Sequence, residues 1–309
     1  GNLGQNNEVD YSSPVQIPGT TWSQDVDKIA MTVASPNGAS GAAIKTDGTL
    51  WSWGYNSSGD LGINTPNSDN RSSPVQIPGT TWKNVSAGGY HMLATRTDGT
   101  LWAWGYANWG QLGQNDLARR SSPTQIPGTT WAMAYANDDY SSAAIKTDGT
   151  LWVWGYNSDG QLGQNQSWPG LKGASSPIQI PGTTWSKLNY GATGWSKAAI
   201  KTDGTLWMWG GNEYGSAGQN VSPGTIDDYS SPIQVGSGTD WSSVSLSYKG
   251  AQALKTDGTL WVWGRNDADG RLGLNNVVNY SSPTQIPGTE WSVINSKKDG
   301  NAAINSVDG

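Results

Sequence analysis

The chain has no cysteine, no phenylalanine and only one histidine, His91. Without cysteine there is neither a disulfide framework nor a thiolate metal site, and the redox character of the compartment leaves no mark on the sequence. A single histidine, with no serine-bearing elbow near it, does not build a Ser-His-Asp triad and leaves zinc without a ligand set. Charged residues make up only 14% of the chain and the net charge is −6. Basic residues come singly, as Lys45, Arg96, Lys146, Lys201 and Lys255, apart from the pairs Arg119–Arg120 and Lys297–Lys298. That scatter is not the clustered footprint of a nucleic-acid binder. No apolar run reaches the length of a membrane-spanning helix. The chain opens at Gly1 inside a repeat, with neither Met nor a signal peptide, and reads as a processed product or a piece of something longer.

What is present is concentrated in a few residue types: 19 Trp, 12 Tyr and 42 Gly among 309 residues. They recur in a fixed order. Lys45-Thr-Asp-Gly-Thr-Leu-Trp-Ser-Trp-Gly54 returns at 96–105, 146–155, 201–210 and 255–264. Ser13-Pro-Val-Gln-Ile-Pro-Gly-Thr-Thr-Trp22 returns at 73–82, 122–131, 176–185, 282–291 and, more loosely, at 231–241. A Leu-Gly turn lies between them, at Leu61, Leu112, Leu162 and Leu272, with Ala217 in the fourth copy. Self-similarity at about fifty residues is the mark of a repeat architecture.

Each copy predicts four short strands. The first follows the Trp, as in Trp82–Ala87, and the second is small and apolar, as in Ser142–Lys146. Thr-Asp-Gly then turns the chain, because Asp bonds its own backbone and Gly accepts positive φ. The third strand, Thr150–Gly155, alternates with period two, setting Leu151 and Val153 against Trp152 and Trp154. The fourth has proline at both ends, which suits an edge strand. Four strands per repeat, with Gly and aromatics at fixed offsets, predict an all-β propeller of four-stranded blades.

The Asp-Gly-Thr-Leu-Trp-x-Trp-Gly-Tyr-Asn and Gly-Gln-Leu-Gly-Gln-Asn strings resemble the regulator of chromosome condensation repeat family, most closely its Trp-rich bacterial and phage-borne members. The resemblance covers essentially the whole chain. It implies a propeller, typically of seven blades, that serves as a scaffold for recognition. The nuclear exchange factor of that family uses an insertion outside the repeat, and this sequence shows no counterpart.

The expected layout is one propeller domain over 1–309. Residues 1–21 form an N-terminal closing segment, and blades follow at 22–81, 82–130, 131–184, 185–240 and 241–290. Residues 291–309 begin a sixth blade whose last strand comes from the N-terminus. The alternative is a seven-bladed ring of which this chain is a fragment.

The paired Trp51/Trp53, Trp102/Trp104, Trp152/Trp154, Trp207/Trp209 and Trp261/Trp263 occur in every copy, and that uniformity points to packing between blades. Trp109, Trp168 and Trp195 fall off the template and are the binding candidates, since aromatic anchors on loops are common at interfaces. His91 reads as a tolerated strand position, by comparison with Ser142 and Gln252. The Asp of each Thr-Asp-Gly turn, Asp308 included, reads as turn chemistry. Asn266–Gly270 faintly resembles a calcium loop but lacks the downstream glutamate, and Asp227–Asp228 reads as solvated charge. No catalytic residue, cofactor or metal is expected. Insertions at Asp25–Ser40, Gly163–Ser176 and Gly218–Ser230 are where a partner is first sought. The expected role is a non-catalytic structural or recognition module, extracellular or on a particle or virion surface. Its partner would be a protein or a glycan, or further copies of itself, with a carbohydrate-binding lectin as the alternative.

Overall fold

The computed structural model describes all residues except 33–37, 66–67, 189–194, 222–225, 227, 268–269, 298–299 and 307–309. The chain divides into two compact units, one of residues 1–147 with 174–178 and the other of 148–173 with 179–309.

In the first unit, β1 (Ile29–Met31), β2 (Ser40–Ile44), β3 (Leu50–Gly54) and β4 (Arg71–Ile77) form one antiparallel sheet in chain order. A second sheet repeats the order with β5 (Trp82–Ala87), β6 (His91–Arg96), β7 (Leu101–Gly105) and β8 (Arg120–Ile126). The hairpin of β9 (Trp131–Ala136) and β10 (Ser141–Lys146) follows. Strands β11 (Leu151–Tyr156) and β12 (Gly173–Ile180) continue the third copy. The second unit holds the sheet of β13 (Trp185–Leu188), β14 (Ser196–Lys201), β15 (Leu206–Gly211) and β16 (Asp228–Gln234). It also holds β17 (Trp241–Ser247), β18 (Gly250–Lys255), β19 (Leu260–Gly264) and β20 (Tyr280–Ile286). The sixth copy is the two-stranded sheet of β21 (Trp291–Lys297) and β22 (Gly300–Asn305). Residues 13–18, the expected outer strand of that copy, carry no strand.

The Thr-Asp-Gly turn closes as its chemistry requires. Asp203 Oδ1 accepts the Thr205 amide at 3.0 Å and the Thr205 hydroxyl at 2.7 Å, and that hydroxyl accepts Trp207 Nε1 at 2.9 Å. The same relay recurs at Asp47, Asp98 and Asp257. Gly204 has φ +77°, and a Cβ there would stand 2.0 Å from the Thr239 carbonyl. Only glycine fits at that approach.

Neighbouring sheets bury one another's faces. Ala42, Ile44, Leu50 and Ile77 pack against Trp82, Val85, Ala87, Met92 and Trp104. In the second unit Ala198, Ile200, Leu206 and Val235 pack against Trp241, Val244, Leu246, Ala251 and Trp263. One sheet therefore offers a leading face of small and branched aliphatics. The next answers with a trailing face built around two indoles.

A loop fastens each of these interfaces. The indole Nε1 of Trp104 donates to the Asp60 carbonyl, that of Trp209 to Gln161 and that of Trp263 to Ser216, at 2.8–2.9 Å. A few residues on, Asn64, Asn115, Asn165 and Asn220 sit at φ between 54° and 61°. Their amides donate to Ser121, Ser175, Ser230 and Ser281 on the following sheet's fourth strand. Asn is among the few residues that adopt this left-handed conformation readily. The N-terminal segment makes the same pair of bonds to the first sheet, with Trp53 Nε1 donating to Asn2 O and the Asn6 amide to Ser72 O.

Candidate functional site

Because each sheet is a meander, its connections fall at two ends. One end carries the Thr-Asp-Gly turns and the Pro-Gly-Thr-Thr-Trp links, the other the first-to-second and third-to-fourth strand loops. The two ends differ in chemistry.

At the turn end, the solitary cations Lys45, Arg96, Lys201 and Lys255 each lie over two indoles. Lys201 Nζ is 4.7 Å from the Trp185 ring centre and 3.9 Å from that of Trp207. Arg96 lies 4.3 Å from Trp82 and 4.2 Å from Trp102, and Lys45 and Lys255 repeat the arrangement. The indoles meet edge to face, as Trp82 and Trp102 do at 6.2 Å. Trp104, Trp154, Trp209 and Trp263 are fully buried, while Trp51, Trp102, Trp152, Trp207 and Trp261 are half-buried beside the cations. A groove of about 410 Å³ opens next to Lys201, with Trp185, Trp207, Ile180, Pro181 and Pro232 on its walls. Those walls are template residues, so the groove does not set one copy apart from the others.

The loop ends carry the off-template tryptophans. Trp109 in the first unit, and Trp168 and Trp195 in the second, each lie at the loop end of their own sheet, and all are exposed. The Trp109 amide donates to Gln111 Oε1 at 3.0 Å. Trp168 stacks under Lys172 Nζ at 4.3 Å. Trp195 meets Tyr248 edge to face at 5.7 Å. Around that pair, Lys249 Nζ lies 4.2 Å from the Tyr214 ring and 5.2 Å from that of Tyr248, and it donates to Tyr214 OH and Glu213 Oε2. Partial burial alone would lower the Lys249 ammonium, but those two bonds outweigh it and hold it above its ordinary value. Arg265 approaches the same Tyr214 ring at 5.1 Å.

The loop ends of the first unit carry a second cluster. Tyr90 stacks on Tyr140 at 6.3 Å, Tyr106 tilts against both, and Arg119 lies 4.7 Å from the Tyr106 ring. Tyr140 has φ 61°, a strained backbone for a bulky residue. Asp139 Oδ1 holds it there by accepting the amide and hydroxyl of Ser141. Burial, then its tyrosine neighbours and Asp138, push the Tyr140 phenol above its ordinary value. Tyr90, Tyr106, Tyr140, Tyr214, Tyr248 and Lys249 escaped the sequence reading. The available signal was a Tyr directly after the third strand's glycine at Tyr55, Tyr106 and Tyr156.

His91 lies in the packed interior rather than at an open surface. It is fully buried, and burial depresses its imidazole to about 4. Its Nε2 lies 2.9 Å from Ser142 Oγ, whose own proton goes to the Gln111 carbonyl. The ring is therefore the donor in that bond, the reverse of what an activated serine requires. Strand register also corrects its equivalents: His91 lies opposite Gly105 as Ser40 lies opposite Gly54, Ser196 opposite Gly210 and Gly250 opposite Gly264, rather than matching Ser142 and Gln252. No cluster of metal-binding side chains occurs among the described residues. The calcium-like Asn266–Gly270 loop lies partly outside the described residues, as do Asp227, Lys298 and Asp308.

Family models described as the regulator of chromosome condensation (RCC1) repeat match residues 47–95, 98–142, 139–161 and 257–294. The ultraviolet-B receptor UVR8 of Arabidopsis thaliana is 28% identical over 93% of this chain and 51% of its own length. The mitochondrial RCC1 domain-containing protein RUG3 of the same plant is 26% identical over 89% of this chain and 62% of its own length. The chain thus spans between about half and three fifths of these relatives. The human E3 ubiquitin-protein ligase HERC2 matches 80% of this chain but only 5% of its own length. Among solved structures, yeast Prp20p superposes with a TM-score of 0.72 at 18% identity, over 87% of this chain and 68% of its own. Human WBSCR16 superposes with a TM-score of 0.70 at 20% identity, over 86% and 69%. These likenesses correct the expected setting: the related proteins are intracellular or mitochondrial, which points away from an extracellular or virion surface. Repeats, relatives and shared fold agree on an RCC1-like repeat β-propeller for this chain.

Proposed function

We propose that the chain is a non-catalytic module that holds a protein partner on the loop ends of its blades. The observation that carries this reading is that Trp168 and Trp195 of the second unit, and Trp109 of the first, are exposed, each at the loop end of its own sheet. Aromatic anchors beside cations, as in Trp195–Tyr248 with Lys249, are the composition of interface hot spots. The similar yeast Prp20p, which has binding properties to Gsp1p and histones, supports a protein partner over a glycan. The burial and hydrogen-bond direction of His91 support a role without catalysis.

The test is site-directed crosslinking from the two ends, with a photoreactive residue at position 195 or 168 and, as control, at the exposed turn residue Asp203. A discrete protein adduct from the loop end alone supports the reading. Equal adducts from both ends, or glycan binding lost in Trp168→Ala and Trp195→Ala without any protein adduct, would replace it.

A further inference from the structure

Lys201 and Lys255 occupy the same place in successive copies of the second unit. Each pairs with a tryptophan on the preceding strand, Lys201 with Trp185 and Lys255 with Trp241. The residues before those tryptophans, Thr184 and Asp240, accept equivalent backbone bonds, from the Thr202 and Thr256 amides at 2.8 Å. Their side chains differ. Asp240 Oδ2 lies 3.3 Å from Lys255 Nζ, whereas Thr184 offers Lys201 no carboxylate. The rings register the difference: Lys255 sits 5.0 and 4.9 Å from its two indoles, Lys201 4.7 and 3.9 Å from the corresponding pair. Nor does the nearby Asp203 take the part of Asp240, since its Oδ1 is engaged by the Thr205 amide and hydroxyl. Among the described residues, Lys201 therefore has indole faces around its charge but no ion pair.

The space beside that ammonium is open. The groove of about 410 Å³ lies there, walled by Trp185, Trp207, Pro181 and Pro232. Its volume falls within the range of small-molecule sites. The equivalent position in the first unit is used differently. Ile63, which stands where Gln164 does, packs against the cluster of Trp82 and Trp104, with Trp102 beside it. Gln164 instead turns toward its own copy, and its Nε2 donates to the Leu162 and Gln179 carbonyls. An aliphatic side chain that packs on the indoles in one copy is thus replaced, in the other, by one drawn aside.

We propose that this groove binds a small organic acid, whose carboxylate pairs with Lys201 Nζ and whose apolar body lies between Trp207, Pro181 and Pro232. The carboxylate takes the role that Asp240 plays for Lys255, and the body takes the role of Ile63. Lys201 is partly buried, so an ion pair there is screened less by salt than one in open solvent. The apolar body leaves water for the indole and proline walls, which favours binding. A neutral sugar would need the Trp207 face that the Lys201 ammonium already covers at 3.9 Å. The site uses none of the loop-end aromatics and stands independently of their reading as partner contacts.

Magnetic resonance of the isotope-labelled full chain tests this by following the Trp207 indole N–H, which donates to Thr205 Oγ1 at 2.9 Å. Trp207→Phe identifies its signal. Phenylpropionate and octanoate are titrated against phenylpropanol, which has the body of the first acid without its charge. The acids are expected to shift the Trp207 signal saturably, and the alcohol to bind at least roughly tenfold more weakly than phenylpropionate. Lys201→Met keeps the aliphatic stem and is expected to lose at least roughly tenfold in affinity for the acids. Thr184→Asp installs the carboxylate that Lys255 already has, and is expected to weaken the acids by a similar factor. Unchanged binding of phenylpropanol in both variants shows that the groove is still folded. No saturable shift with either acid at millimolar concentration overturns the proposal. So does equal binding of acid and alcohol, wild-type affinity for the acids in either variant, or inorganic phosphate acting as strongly as the acids.

Discussion

Trp104 donates its indole proton to the carbonyl of Asp60, forty-four residues earlier, across a sheet interface at 2.9 Å. The indole is fully buried, so the bond has no water to replace it. Trp104→Phe is expected to cost about 1–3 kcal/mol, because the Asp60 carbonyl is left unpaired in the interior. Trp104→Ala adds a cavity and is expected to cost about 3–5 kcal/mol. Thermal or urea denaturation measures both.

Two buried groups in the first unit give opposite pH dependences. His91 falls from 6.5 unfolded to about 4 folded. Between those values the unfolded chain binds more protons, so this contribution is present above pH 6.5 and is lost as pH falls toward 4. Asp60 rises from 3.8 to about 6, chiefly through burial. There the folded state holds the proton, so stability is present below pH 3.8 and is lost as pH rises toward 6. Each shift corresponds to roughly 3 kcal/mol, and the two nearly cancel across pH 4–6. His91→Ser, which installs the residue of the equivalent Ser40 and Ser196, is expected to leave stability falling with rising pH. Asp60→Asn is expected to leave it rising. Urea titrations at pH 4, 5, 6 and 7 read the two slopes, and parallel curves for the variants and wild type would refute the assignment.

The turn end tolerates little backbone change. Gly204→Ala combines φ +77° with a Cβ 2.0 Å from Thr239 O, and a loss exceeding about 2 kcal/mol is expected. Asp203→Ala removes the acceptor for Thr205 but causes no clash, and about 1 kcal/mol is expected. Denaturation midpoints in that order would support the turn analysis, and the reverse order would contradict it.

Lys201 stabilises through its charge over Trp185 and Trp207. Lys201→Met keeps the aliphatic stem and is expected to lose about 0.5–1 kcal/mol, while Lys201→Arg is expected to be near neutral. Equal losses in both variants would mean that shape rather than charge matters at this position.

The blades were legible because period-two strands and Thr-Asp-Gly turns prescribe a local geometry, and β10 and β11 fall within a residue of where that chemistry sets them, whereas the fourth strands start earlier and hold Pro74 and Pro123 inside β4 and β8 rather than at their ends. The function of the solitary cations was not legible. Lys201 and Trp185 are far apart in sequence and become neighbours only through the register that sets them opposite each other. His91 was aligned out of step because the first-to-second strand loops differ in length, and a one-residue slip changes the face a side chain occupies. Trp109, Trp168 and Trp195 were separable because they break the template. The tyrosines beside Lys249 and Arg119 were not, since their clusters are assembled from loops of different copies.

The left-handed asparagines have a further consequence for how such a chain could diversify. Everything up to Asn64, Asn115, Asn165 and Asn220 is committed to fastening one blade to the next. The stretch 166–172 is tied instead to its own copy, where the buried Asn157 Nδ2 donates to the Gln166 and Leu171 carbonyls. Its side chains can drift so long as those two carbonyls stay within reach, so it is a natural place for grafting a foreign recognition loop onto a rigid frame.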